Sequence, residues 1–215
     1  MDIKPQKFRI ALVLNSLFFP FTFPDFIESL RKRGYAIPGL PQSIPSGQKA
    51  YLGGYIAAKE DCVVELSPDK QLLAVEGFPS NNIKIIRELM SIAVNDFYVN
   101  LEEELDYVEL SSHYLIKSDN NPLESIRKLK CESFEKFNKV LDVETAPYSV
   151  SIVPNGLSPN NKNWFDIRIE PRFTMPTHSY NIDVVYRNEN CENVLSFSEL
   201  VNSKIHSLIE IIEEV

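Results

Sequence analysis

The fold is decided by two alternating stretches, WFDIRIE at positions 164–170 and YNIDVVYR at positions 180–187, which flank a single loop. Successive side chains of a strand point to opposite faces of a sheet, so alternate residues share a face. Apolar side chains occupy one face of both stretches and charged side chains the other. The sequence therefore predicts an antiparallel hairpin with one buried face and one face in water. The apolar set is Phe165, Ile167, Ile169, Ile182, Val184 and Tyr186, and the charged set is Asp166, Arg168, Glu170, Asp183 and Arg187.

The chain before position 119 predicts a second group of strands, together with two helices. The first helix begins at Pro24 and ends at Gly34, and the second, capped by Ser80 or Asn81, runs to Phe97. The predicted inward face of the second helix comprises Ile83, Ile86, Leu89, Met90, Ala93, Val94 and Phe97. Strands are predicted at 7–14, 51–59, 62–66, 71–76 and 107–118, with a loop at 38–47 and a turn at 67–70.

The chain after position 119 predicts a long helix, a strand at 148–153, the hairpin and a terminal helix. Asn120 or Asn121 caps the long helix, which continues through Leu141. A capping box at 196–199, with the sequence SFSE, starts the terminal helix. The inward residues of the long helix are Ile126, Leu129, Phe134, Phe137, Val140 and Leu141, and those of the terminal helix are Val201, Ile205, Leu208, Ile209 and Ile212.

This element order predicts an α+β fold of two closely packed halves. Residues 1–118 are predicted to form a ferredoxin-like βαββαβ unit, and residues 119–215 an αβββα unit. In both, helices cover antiparallel sheets. No proline-rich or charged linker separates the halves, so we expect a shared or abutting sheet rather than two mobile domains.

Composition and charge narrow the classes of partner. The chain has 215 residues, of which 44% are hydrophobic and 24% charged, as in an ordinary globular protein. Residues 1–60 carry eight Lys/Arg against four Asp/Glu, a net +4, and residues 61–215 carry fourteen against twenty-six, a net −12. This layout lacks the dense basic stripe of a nucleic-acid surface and favours association with an acidic neighbour or a second copy. No run is apolar enough for a membrane helix and the N-terminus lacks a signal-peptide pattern, which predicts a cytoplasmic protein with no membrane partner.

The metal-ligating residue types do not form a recognisable site. Cys62, Cys131 and Cys191 lie far apart, with no CxxC pair and no histidine at ligand spacing, so we expect free thiols. Asp166, Glu170 and Asp183, the hairpin carboxylates, could together hold a divalent cation. Alternating arginines offer the simpler interpretation of ion pairs on a wet sheet face. We therefore predict neither a metal nor a cofactor.

The loop inside the hairpin is a candidate binding site for a ligand or partner. It runs from 171 to 179, which is long for a hairpin connection, and it contains Arg172, Phe173, Met175 and His178. Long loops on rigid sheets often carry function. The alternative, which we favour, is that Phe173 and Met175 pack over the sheet edge.

No catalytic motif accompanies the remaining polar residues. His113 has Ser111 and Ser112 beside it, but the chain has no G-x-S-x-G elbow, so a hydrogen-bonded histidine is the better interpretation. His206 is expected to be solvated on the terminal helix. Gly53 and Gly54 belong to no phosphate-binding glycine motif. We predict no catalytic residue.

The aromatic segment 17–23 holds four phenylalanines in seven residues, more than one turn needs. Core packing is the favoured interpretation. The alternative is a contact with a second copy, for which Phe19 and Phe21 are the candidates, because Pro20 fixes the turn between them.

Two family resemblances bear on function. YNIDV at 180–184, followed by the helix at 200–212 with His206 inside it, resembles the closing strand and helix of a sporadically distributed, uncharacterised family of prokaryotic proteins. That resemblance implies no activity. The order of elements resembles that of the CRISPR-repeat endoribonucleases, although the C-terminal glycine-rich loop of those enzymes is missing.

Two functions therefore follow as predictions. The first is a non-catalytic α+β binding or assembly module that forms a homodimer, with a protein partner as a further option, because apolar surplus is abundant and catalytic constellations are absent. The alternative is an RNA-processing or nuclease-like enzyme on tandem ferredoxin-like units. The acidic charge makes nucleic acid the less favoured partner.

Overall fold

The computed structural model describes residues 3–15, 21, 24–38 and 54–215. Within these ranges eight strands form one antiparallel sheet. The strands are β1 (Pro5–Leu14), β2 (Gly54–Lys59), β3 (Cys62–Ser67), β4 (Leu72–Glu76), β5 (Leu105–Lys117), β6 (Val150–Ile152), β7 (Trp164–Pro171) and β8 (Ser179–Asn188). The helices are α1 (Pro24–Lys32), α2 (Pro79–Phe97), α3 (Leu101–Glu104), α4 (Pro122–Lys128), α5 (Ser133–Leu141) and α6 (Cys191–Glu214).

The order of strands in the sheet is β2-β3-β4-β1-β5-β8-β7-β6. This confirms the α+β class and the antiparallel sheet. The ladder between β5 and β8, from Val108↔Asn188 to Lys117↔Ser179, joins strands from both predicted halves. A ferredoxin-like unit in residues 1–118 is not confirmed, because three strands rather than two lie between α1 and α2. The expected strand at 51–53 and the loop at 39–47 lie outside the described residues.

One face of the sheet is covered by helices. Ile169, Ile182 and Val184 are buried, while Arg168 and Asp183 are exposed, so the predicted faces of the hairpin are confirmed. On β5, the alternate residues from Val108 to Ile116 are buried in the same core. Helix α2 packs on β1 and β4, α6 on β5 and β8, and α4 on β7. No helix in the described part of the chain is long and apolar enough to cross a membrane.

The terminal helix begins five residues before the predicted capping box. Asn190 is the N-cap, and its side chain accepts a hydrogen bond from the backbone N–H of Glu192 at 2.9 Å. Ser198 instead lies within the helix and donates its hydroxyl to the Val194 carbonyl oxygen. The earlier start is favoured because it buries Val194 and Leu195 in the core. Helix α2 likewise starts at Pro79 rather than after Ser80 or Asn81, and the side chain of its N-cap makes no capping hydrogen bond.

The predicted long helix through Leu141 is two helices, α4 and α5, separated at 129–132. Asn121 caps α4 as predicted, since its side chain accepts from the Glu124 N–H at 3.3 Å. The predicted burial is confirmed for Ile126 and wrong for Phe137, Val140 and Leu141, which are exposed. Helix α4 covers β7, and only the three-residue β6 lies beyond it, so the sheet offers α5 little further surface to cover.

Candidate protein-binding surface

Seven exposed apolar side chains occur between positions 137 and 157, a stretch that contains the edge strand β6. They lie on α5, on the connection from α5 to β6, and on the residues before and after β6. We call this surface the edge patch, and its members are Phe137, Val140, Leu141, Val143, Tyr148, Val153 and Leu157. Single exposed apolar residues are ordinary on a protein surface, but a run of them along 21 positions marks a region that excludes water only when something covers it.

Helix α5 is the centre of the edge patch. Phe134, Phe137, Val140 and Leu141 follow the spacing of one helical face, which we call the α5 stripe. None of the helix residues is buried, and Val140 is 79% exposed. The opposite side of the helix carries Glu135 and Lys139. An amphipathic helix is normally stabilised by burying its apolar face. The described chain does not bury this face of α5, so a partner is needed to cover it.

The segment after α5 is held in place by polar contacts. Asn138 Oδ1 accepts hydrogen bonds from the backbone N–H of Thr145 at 2.7 Å and from its hydroxyl at 2.6 Å. The ammonium of Lys130 lies 3.3 Å from the Glu144 carboxylate. These contacts fold the connection back onto α5. The α5 stripe is therefore presented in a defined conformation, which lowers the entropic cost of binding.

The loop between β7 and β8 lies beside the edge patch. The Tyr148 hydroxyl donates to the carbonyl oxygen of Pro171, the last residue of β7, at 3.2 Å. Phe173 is 89% exposed and Met175 is 40% exposed. The expectation that these side chains pack over the sheet edge is therefore wrong for Phe173, which extends into solvent, whereas Met175 is partly covered.

Hydrogen bonds to the rest of the chain hold this loop. The carbonyl oxygen of Pro176 accepts from the Leu123 N–H at 3.1 Å, and that of His178 accepts from the Ser118 N–H at 3.0 Å. His178 Nδ1 lies 2.7 Å from the Thr177 hydroxyl. Arg172 is half-buried, and its guanidinium lies 4.0 Å from the Met175 sulfur. The loop therefore brings Arg172, Phe173, Met175 and His178 into one anchored turn without forming a catalytic constellation.

Phe21 belongs to the core. Its side chain is 1% exposed, and its ring meets that of Phe26 edge-on at 5.1 Å between centroids. The ring of Phe26 lies 6.1 Å from that of Phe97. This burial removes Phe21 as a contact for a second copy, in agreement with the core interpretation. Phe19, the other candidate, lies outside the described residues.

The hairpin carboxylates are each engaged by a neighbour. Glu170 lies 3.2 Å from the Arg168 guanidinium and also accepts from the side-chain amide of Asn181. His113 Nδ1 lies 2.7 Å from the Asp183 carboxylate, across the β5–β8 ladder. The remaining carboxylate, Asp166, accepts from the Ser151 hydroxyl at 2.5 Å. Among the described residues no group of three or more His, Cys, Asp or Glu side chains could hold a metal ion.

Ser112 does not form a nucleophile with His113. Ser112 is buried on the helix-covered face, whereas His113 lies on the open face, where it pairs with Asp183. A hydroxyl and an imidazole on opposite faces of one strand cannot share a proton. The interpretation of His113 as a hydrogen-bonded histidine is therefore confirmed.

Two of the cysteines are poor nucleophiles. Cys62 and Cys191 are buried free thiols, and Cys131 is an exposed free thiol. Burial raises the pKa of the Cys191 thiol to about 11, with a smaller contribution from the nearby Glu192 carboxylate. Burial also raises the pKa of Cys62. Since the thiolate is the reactive form, neither buried cysteine suits covalent catalysis near neutral pH.

One polar cleft, between the end of β5 and α6, was not predicted from the sequence. It has a volume of about 570 Å³ and includes His206, whose Nδ1 lies 3.2 Å from the Glu210 carboxylate. Glu213 accepts from the hydroxyl of Ser118 and the amide of Asn120, so its carboxylate is already engaged. The sequence signal for this cleft was the spacing of His206, Glu210 and Glu213, which places three polar side chains on one face of α6. The full lining is Leu115, Lys117, Asp119, His206, Ile209, Glu210 and Glu213.

No family model matches the chain, and no curated protein and no solved structure is significantly similar to it.

Proposed function

We propose that this protein is a non-catalytic assembly module that forms a homodimer, and that the α5 stripe is its contact surface. The observation that carries the proposal is the state of α5, an amphipathic helix without one buried residue. The groups elsewhere that could act in catalysis are not free to do so. Neighbouring residues engage the hairpin carboxylates and the glutamates of the cleft, and burial keeps the two buried thiols protonated. The described residues therefore favour protein binding over catalysis as the function.

The size of the surface supports a contact between proteins. Phe137, Val140 and Leu141 are 52%, 79% and 60% exposed, and Val143 is 58% exposed. Together these side chains present on the order of 400 Å² of apolar surface, comparable to the largest patch of a typical monomer. A stable interface buries about 800 Å² per partner, so these four side chains supply roughly half of one. The other members of the edge patch can supply the rest.

The test is a pair of charge-matched variants of α5. Val140→Glu/Leu141→Glu places two negative charges in the stripe, and Lys139→Glu makes the same net change on the opposite side of the helix. Both sets of residues are exposed, so circular dichroism should show an unchanged fold. We expect sedimentation velocity to give twice the 24.6 kDa chain mass for the wild type and for Lys139→Glu, and the single-chain mass for the double variant. Equal masses for the two variants would contradict the proposal.

The RNA-processing alternative stays a prediction. The arginines on the open sheet face each have an acidic neighbour: Arg9 bonds to Glu65 at 2.8 Å, and Arg187 bonds to Glu109. Such pairing leaves less positive charge for phosphate contacts. A gel shift with mixed RNA at low salt tests it, since the absence of binding would remove this alternative.

Several finer expectations stay part of the proposal. A cytoplasmic location is supported by Cys131, since an exposed free thiol persists in a reducing compartment. The ferredoxin-like description of residues 1–118 and the resemblance to an uncharacterised prokaryotic family also stay predictions.

A further inference from the structure

The only Asn-Gly pair in the sequence, Asn155-Gly156, lies in a turn after the edge strand β6. The side chain of an asparagine can react with the backbone nitrogen of the next residue. Glycine hinders this reaction least, because it has no side chain. Both residues of the pair are exposed. The fold therefore places the asparagine that is chemically most prone to this reaction in contact with water.

Neither reacting group is held by a hydrogen bond. Within the part of the chain that the structure describes, the side chain of Asn155 and the backbone N–H of Gly156 have no hydrogen-bond partner. Gly156 has a φ of +78°, in the left-handed region that glycine adopts without strain. A Cβ built on it would meet nothing within 4 Å, so no neighbouring group crowds the turn. The amide of Asn155 is therefore free to approach the Gly156 nitrogen.

Asn202, which precedes Ser203, provides the contrast. Serine is also a small following residue, but this pair lies inside α6, where backbone N–H groups bond to the preceding turn. The Oδ1 atom of Asn202 accepts a hydrogen bond from the Tyr114 hydroxyl at 3.1 Å. Reaction at Asn202 would require the loss of both kinds of hydrogen bond. The fold thus protects Asn202 and leaves Asn155 unprotected.

We propose that Asn155 is a site of spontaneous deamidation in the folded protein, with water as the co-reactant. The Gly156 nitrogen loses its proton and forms a bond to the side-chain carbonyl carbon of Asn155. The bond from that carbon to the amide nitrogen breaks, and the nitrogen leaves as ammonia, so that a cyclic imide remains. Water then opens the ring at one of its two carbonyl carbons. One opening gives aspartate, and the other gives isoaspartate, in which the main chain runs through the former side chain.

The reaction changes the charge of the edge patch. Val153 and Leu157, which lie two positions before and after Asn155, are exposed members of that patch. Deamidation places a carboxylate between them. Covering this part of the patch in an interface then requires the removal of water from a charge, which is unfavourable. This consequence rests on the proposed homodimer, whereas the deamidation itself does not.

Peptide mapping by mass spectrometry tests the reaction in the full chain. The folded wild type is incubated at mildly alkaline pH, at which the Gly156 nitrogen loses its proton more readily. We expect the peptide containing Asn155 to gain the mass of the amide-to-acid change in aspartyl and isoaspartyl forms, while the peptide containing Asn202 stays unmodified. Asn155→Gln is the matched control. It keeps a side-chain amide but cannot form the same ring, so its peptide should stay unmodified.

A parallel incubation in urea separates the chemistry of the sequence from the effect of the fold. Modification of Asn155 in both the folded and the unfolded chain is the expected result. Modification in urea alone would show that the folded turn protects Asn155, and the proposal would be wrong. It would also be wrong if the Asn155 and Asn202 peptides persisted equally in the folded protein.

Sedimentation velocity measures the consequence for assembly. We expect Asn155→Asp to raise the dimer dissociation constant several-fold and Asn155→Gln to leave it unchanged, because only the first adds a charge. Equal dissociation constants for these two variants would overturn the effect on assembly and leave the deamidation standing. A monomeric wild type would overturn the homodimer, while the peptide map would still decide whether Asn155 reacts.

Discussion

Replacing Ile182 with aspartate tests whether the helix-covered face of the hairpin holds the fold together. Ile182 is 0% exposed at the middle of β8, and its Cα partners are Tyr114 on β5 and Ile169 on β7, both also fully buried. Burial of an isoleucine side chain contributes about 1.5–3 kcal/mol. The new carboxyl adds a cost of about 1–3 kcal/mol even when protonated, because its polar atoms lack partners there. The expected loss is therefore about 3 kcal/mol or more.

Thermal and guanidinium unfolding measure this loss. For a chain of this length the melting temperature should fall by about 6–12 °C, a large part of a total stability of about 5–15 kcal/mol. Ile182→Val is the matched control, since it keeps the site apolar and should cost about 1 kcal/mol. An aspartate variant that unfolds with the wild-type midpoint would show that Ile182 faces solvent, and the assignment of the two sheet faces would be reversed.

Two further predictions concern the thiols and one ion pair. Ellman's reagent should modify Cys131 rapidly in the native protein and Cys191 only after denaturation, because Cys191 is buried and its pKa is raised to about 11; fast reaction of two or more thiols in the folded protein would contradict this. Asp96 has a lowered pKa because the Ser29 hydroxyl donates to it and Arg33 lies beside it. A lowered pKa in the folded state means that ionised Asp96 stabilises the fold. This contribution to the free energy of unfolding is fully present above the unfolded-state pKa and is lost as pH falls through the folded-state pKa. The stability difference between wild type and Asp96→Asn should therefore shrink below about pH 4. A difference that stays constant from pH 7 to acid would refute it.

The strands that alternate were predictable because their period of two is a local property. Tyr114 on β5 and Val184 on β8 are buried as the alternation predicts, and no knowledge of the neighbouring strand was needed. The order of strands was not predictable in the same way. β1 lies between β4 and β5, and the pairing of Ile10 with Leu110 joins residues one hundred positions apart. Such pairing depends on the free energy of the whole sheet.

The start of α4 was predictable to within one residue. Either Asn120 or Asn121 was the predicted cap, and Asn121 is the one observed. Near the C-terminus the capping box at 196–199 was the predicted start, whereas the observed N-cap, Asn190, lets the helix place Val194 and Leu195 in the core. Local capping energies of about 1 kcal/mol are small beside the burial of two large aliphatic side chains.

The proposed function depends on α5, the helix whose burial the sequence predicts wrongly. The spacing of Phe134, Phe137 and Leu141 correctly predicts that one face of α5 is apolar, but the sheet of the same chain does not bury this face. Periodicity states which side of a helix avoids water, but it does not state what covers that side. Within the described residues the sheet ends at β6, and no residue of α5 is buried. A face that the sequence marks for burial and the fold leaves open is the property expected of a surface that is completed by assembly.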